Sequence, residues 1–290
     1  MCTRVVILAV AIVICATSAA HDCMAIDLIV SGTTQITSPA TYDSVVVNSG
    51  GTLIADAEIT VTGNMRIASG GVITHSSRLL SGLVLDVTGT LDVQAGGLID
   101  LNEKGLLGGS GIAPGETYDA SDNIVAGAGG APTWAAGGSY GGIGGNGSQA
   151  SASPSYGLLE DPRHLGSGGG GSTSGTGGHG GGLATISATT CVIDGTMRAN
   201  GGPSTTPNGV PGGGSGGGIR LDVGDLSGTG VIQANGGTGF CSWGCAGGGG
   251  GGRIAVFYTT LSFPSANISA RGGSSGSTGS AGTIYLKDIA

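Results

Sequence analysis

The stretch "GGGIRLDVGDLSGTGVIQANGG", residues 216–237, sets Ile219, Leu221 and Val223 at alternate positions, makes a short polar turn, adds a second apolar pair at Val231 and Ile232, and closes on Gly236-Gly237. Alternation at period two marks a strand with one face buried, and no helical stripe of useful length interrupts it. The same order recurs on both sides. "GGGLATIS" (180–187), "GGGRIAVFY" (250–258) and "AGTIYLK" (281–287) place Leu183, Ile254 and Ile284 as counterparts of Ile219, at steps of 36, 35 and 30 residues. "DGTMRANGG" and "ANISARGG" repeat the second strand, so that the Gly-Gly pairs start at Gly201, Gly236 and Gly272.

A shorter form of the unit precedes these. "VTGNMRIASGGVIT" (61–74) and "VTGTLDVQAGGLID" (87–100) are offset by 26 residues, and the partial copy "VVVNSGGTLIA" (45–55) lies 20 before the first. Short strands recurring at fixed period without helices predict an all-β chain in which each unit stacks on the last. The expected fold is a β-solenoid, a right-handed parallel β-helix, with long glycine-rich loops on one flank. It forms one continuous domain: N-terminal rungs over 21–103, a glycine-rich excursion over 104–182, and C-terminal rungs over 183–290.

Glycine supplies 65 of the 290 residues and charged residues only 10%, yet 39% are apolar, too many for a disordered chain. The excursion is the unsettled segment. A structureless loop of that length is improbable inside a compact domain. It is either a disordered or ligand-binding excursion, or a set of glycine segments packed against each other as extended threefold helices, which would keep their backbone groups paired. Collagen is excluded, because no strict Gly-X-Y period runs through it.

Residues 1–20, "MCTRVVILAVAIVICATSAA", carry one basic residue, an apolar run and a small-residue end, the pattern of a cleaved secretory signal peptide. Without them the chain has nine basic and eighteen acidic residues and no further apolar run able to span a membrane. Such a balance argues against nucleic acid as a partner.

Several chemistries fail on their own requirements. The six glycines at 247–252 end in Arg253 and a strand, where a phosphate-binding loop needs Gly-Lys-Ser/Thr and a helix. Calcium-binding rolls need an aspartate after each glycine turn, which "GGTGFCSWG" and "GGPSTTPNG" lack. His21, His75, His164 and His179 show no ligand spacing, so neither a metal site nor a cofactor is expected. Cys241 and Cys245 are the disulfide candidate in an exported chain, leaving Cys23 and Cys191 free or paired.

Asp86, Asp92, Asp100 and Asp222 lie on strands, and His179 sits in "GGHGGG", a context that pectin-degrading hydrolases also use. The aspartates fit solvent-facing alternate positions, and a catalytic constellation around His179 is missing. Trp134, Tyr140, Tyr156 and Trp243 fall in Gly/Ser-rich segments, where rings stack on sugars or anchor their own loops.

"SYGGIGGNGS", "YGLLEDPRHLGSGGGG", "GGGIRLDVGDLSGTGVIQANGG" and "GGGGGGRIAVFY" resemble the glycine-rich repeat region of large secreted, adhesin-like proteins, mostly bacterial, over roughly residues 83–290. The resemblance implies a structural or adhesive extracellular role without established catalytic residues. In those proteins the "GTIYLK" strand runs on into further repeats, so this chain is expected to be a fragment of a longer product or to cap its open edge by end-to-end self-association. The expected function is a secreted, non-catalytic structural or adhesive repeat protein of the cell surface or matrix, with carbohydrate or matrix as partner. The alternative is a β-helical polysaccharide-binding or polysaccharide-degrading protein.

Overall fold

A computed structural model describes residues 5–9, 26–173, 175–204, 210–241 and 244–290. Among these, the only helical element is the 3-10 turn Ser265–Asn267. The chain is all-β: an 11-stranded and a 7-stranded sheet, both parallel throughout, and one two-stranded hairpin. No helix among the described residues is long and apolar enough to cross a membrane.

The chain visits the two sheets in turn. Leu83–Val93, Leu183–Ile193, Gly218–Ser227, Arg253–Leu261 and Thr283–Asp288 lie side by side in the larger sheet. Leu98–Asp100, Thr196–Arg198, Val231–Gln233 and Ile268–Ser269, each later in sequence than its counterpart in the larger sheet, form the smaller one. Alternation decides which side chains meet. Leu85, Ile186, Leu221, Val256 and Leu286 stack in register on the inner face, and Ile73, Ile99, Met197, Ile232 and Ile268 do so across the smaller sheet. These inner rows form one continuous apolar core with Leu286 at its margin. Asp86, Ser187, Asp222, Phe257 and Lys287 occupy the adjacent outward row.

The offsets of 26 and 20 residues reappear as Met65↔Leu91 and Val45↔Met65. One expected register is corrected. Ile219 pairs with Ala184, and Leu183 pairs with Gly218, so the step between these units is 35 rather than 36. Because a slip of one residue sends a strand side chain to the opposite face, Leu183 leaves the main core and packs with Leu106 and Leu165 in a second apolar cluster.

Between the sheets' units the glycine segments run together as a bundle. Gly247, Gly248 and Gly249 donate to the carbonyls of Ala135, Ser277 and Gly237; Gly250, Gly251 and Gly252 then donate to Gly138, Ser280 and Ala234. Every third residue returns to the same neighbouring segment, so the strand of glycines is an extended threefold helix with bonds fanned in three directions. Gly168 to Gly171 follow the same rule, with Gly168 and Gly171 both addressing residues 113–116. A Cβ on Gly248, Gly249, Gly250 or Gly251 would collide with a neighbouring backbone carbonyl. This is why side chains are excluded here, and why the backbone groups of such a long connection are not left unpaired. Of the two alternatives for 104–182, packed glycine segments are what the structure contains, together with a hairpin, Glu116–Tyr118 with Ile124–Ala126, that the repeat pattern did not announce.

Candidate functional site

The hairpin Glu116–Tyr118/Ile124–Ala126 rests on the second cluster, where Tyr118 and Ile124 pack against Leu106, Leu165 and Leu183. Its turn is organised by Asp119, whose Oδ1 accepts the backbone N–H of Ser121 at 2.8 Å and of Asn123 at 2.9 Å. That turn holds Asp122 at φ 62°, the left-handed region that Asp tolerates, and aims its carboxylate at the segment 161–164. Asp122 Oδ1 lies 2.8 Å from His164 Nε2, and Oδ2 accepts from Arg163 Nη2 at 2.9 Å. The hydrogen bond from His164, then that from Arg163, holds the Asp122 carboxyl below its ordinary range.

A strap over 153–158 closes the other wall. Tyr156 donates its hydroxyl to the Leu165 carbonyl at 2.7 Å and accepts from Ser167 Oγ at 3.0 Å. Burial raises the Tyr156 phenol well above its ordinary pKa. The strap is tied from below by Arg253, whose Nε and Nη2 donate to the Tyr156 carbonyl at 3.0 and 2.7 Å and whose guanidinium stacks 5.5 Å from the Tyr140 ring centroid. Arg253, the residue that ends the six-glycine run, is thus a buried cation serving a loop.

Between hairpin and strap lies a cleft of about 610 Å³. Its floor is aromatic: the Tyr118 ring centroid is 5.4 Å from that of Tyr156 and 4.7 Å from that of His164. Its rim carries Asp119, Asp122, Arg163 and Ser155. The His164 ring is only 5% exposed, and its Nδ1 has no hydrogen-bond partner among the described residues. Flat ring surface beside convergent polar groups suits a small polar ligand with apolar faces.

The expected site residues separate. Tyr140 and Tyr156 come together, ring centroids 4.8 Å apart, but Tyr140 is fully buried and anchors the strap while Tyr156 faces the cleft. Trp134 lies elsewhere, against Gly244 of the cysteine loop. Trp243 falls outside the described residues, as do Cys23 and all of 1–25 except the strand Val5–Ala9, which pairs with Ile26–Val30. Cys241 and Cys245 form the disulfide, which fits an oxidising, extracellular setting. Cys191 is a free thiol in the core, its pKa pushed up to about 12 by burial.

The histidines are mainly structural. His179 Nδ1 accepts the Gly108 N–H at 2.9 Å inside the glycine bundle. Asp86, Asp92, Asp100 and Asp222 all keep off the buried face, and Asp100 and Asp222 pair with Arg198 and Arg220. The cluster of Tyr118, Asp122, Arg163 and His164 was missed in sequence. The signal available was the Asp119/Asn123 turn between two short apolar pairs. No group of three or more metal-binding side chains occurs among the described residues. Compared with known proteins, the chain matches no family model, no curated protein and no solved structure.

Proposed function

We propose that the protein is a secreted, non-catalytic structural or adhesive repeat protein of the cell surface or extracellular matrix, built as a right-handed parallel β-helix with the glycine bundle as one flank. The observation that carries this is the bundle itself. Threefold glycine segments bonded in three directions and continuous with two parallel sheets make a stiff scaffold whose length is spent on holding loops in place. The resemblance of residues 83–290 to adhesin-like repeats supports the same role.

The test is retention of the purified chain on immobilised matrix proteins and polysaccharides, run beside an assay for new reducing or unsaturated ends with and without calcium. Retention without new ends is expected; release of ends from any polymer would overturn the non-catalytic role. The cleft favours a second reading, polysaccharide binding at Tyr118 and Tyr156. On that reading Tyr118→Ala weakens retention on the polymer bound while leaving the far-ultraviolet spectrum unchanged, and unchanged retention would sink it.

A further inference from the structure

The outer turns of the glycine segments gather into one face, remote in sequence but joined in space. Thr173 Oγ1 donates to the Pro132 carbonyl at 3.0 Å, and Thr133 Oγ1 donates to Gln149 Oε1 at 2.9 Å. Gly239 N–H donates to the Ser274 carbonyl at 3.2 Å, and Gly276 N–H to Cys241 Sγ at 2.9 Å. Trp134 joins the two groups, because any side chain on Gly244 would strike its indole. Its own φ is 58°, in the left-handed region that bulky residues rarely adopt.

This face carries no charge. No Asp, Glu, Lys or Arg occurs in 105–115, 127–159, 164–193, 199–219, 226–252 or 272–286, and every outer turn lies inside one of these stretches. Among the described residues the ionic side chains sit on the sheets, in the turns beside them, on the hairpin or in the 160–163 segment, with Glu103 reaching Gly202 of the bundle. What the face offers instead is hydroxyls (Ser110, Ser148, Thr238, Thr278), side-chain amides (Asn146, Gln149) and the Trp134 indole. Large aliphatic side chains are exposed in these stretches too, Ile112 at 60% and Ile143 at 49%.

We propose that this outer face is a binding site for an uncharged polysaccharide. Hydroxyls and amides match the hydroxyls of a neutral sugar, the indole stacks on its C–H face, and the rigid bundle pre-orders the turns so that little freedom is lost on binding. The inference rests on the adhesive role and names its ligand class and its surface.

The experiment uses the full chain on immobilised mannan, dextran and hydroxyethylcellulose, with polygalacturonate as the acidic control, at about 0.1 M and about 1 M NaCl, where the screening length falls from roughly 10 to 3 Å. Retention on at least one neutral polymer, changed less than about twofold by salt, is expected. Trp134→Ala and the exposed-turn variant Ser148→Arg should each weaken it by about tenfold or more, about 1.4 kcal/mol; Ser148→Arg should melt like the parent. The proposal is overturned by retention on polygalacturonate alone that salt abolishes, by neutral-polymer retention that survives Ser148→Arg, or by its loss in Leu158→Asp of the cleft instead. In each of these the adhesive role stands. Retention on matrix protein and on no glycan overturns the proposal alone, and retention on nothing overturns both.

Discussion

At the scale of the residue, glycine does opposite things in different places. Gly178 is enclosed, and a methyl group there would meet the Gly202 carbonyl and, at 2.7 Å, the Gly214 nitrogen. Both are backbone atoms of bonded segments that cannot turn aside. Gly178→Ala is expected to cost about 1–3 kcal/mol in a denaturant or thermal melt, the usual penalty of overpacking. Gly32 has nothing within 4 Å of the added atom, so Gly32→Ala should be neutral or slightly stabilising by removing unfolded-state freedom. Equal effects of the two would contradict the packing of the bundle. Sequence showed the glycine runs plainly but not this difference, since both residues read as glycine in a polar neighbourhood.

At the scale of the element, two buried cationic or titratable side chains join pieces far apart in the chain. His75 is fully buried; its Nδ1–H donates to the Ser76 carbonyl at 2.8 Å, and its Nε2 accepts the Leu183 N–H at 3.3 Å. It therefore pins the strand Leu183–Ile193 to a turn 108 residues earlier. Burial, reinforced by the nearby Lys104 charge, lowers its pKa below 6.5. A proton on Nε2 would face the Leu183 N–H with a second donor. The folded state binds that proton less readily than the unfolded state, so the stability is intact above about pH 6.5 and is lost as pH falls below it. Melts of the parent should decline from pH 7.5 to 5 more steeply than those of His75→Gln; parallel slopes would exclude His75 as the cause.

Arg253 works in the same way for the strap. Arg253→Gln removes two charge-assisted donors from the Tyr156 carbonyl, and is expected to cost about 1.5–3 kcal/mol and to loosen the cleft wall, read as faster amide exchange over 153–158. The strands themselves were legible because alternation names the buried face and the Gly-Gly pairs fix the period. The Leu183 register was not. Leucine at the head of "LATIS" satisfies the pattern as well as alanine does, and only the second cluster under the hairpin explains which of them turns inward.

At the scale of the molecule, the repeat period and the two-strand unit were readable, whereas the site was not. Tyr118, Asp122, Arg163 and His164 converge through a hairpin and a strap with no repeat partner, and their spacing of up to 46 residues means nothing until the glycine bundle folds the excursion back. The side-chain-free bundle has a further consequence. A proteinase selects its cleavage site by seating a side chain in a pocket and drawing an extended backbone into its own groove; glycine presents no side chain, and here the backbone is already bonded in three directions. Native digestion with trypsin or chymotrypsin should therefore nick the exposed segment 158–163 and leave 164–193 and 244–257 intact, visible by mass spectrometry as long glycine-rich fragments. A protein left in a harsh extracellular medium would thereby keep the part that carries its loops after its margins have been trimmed.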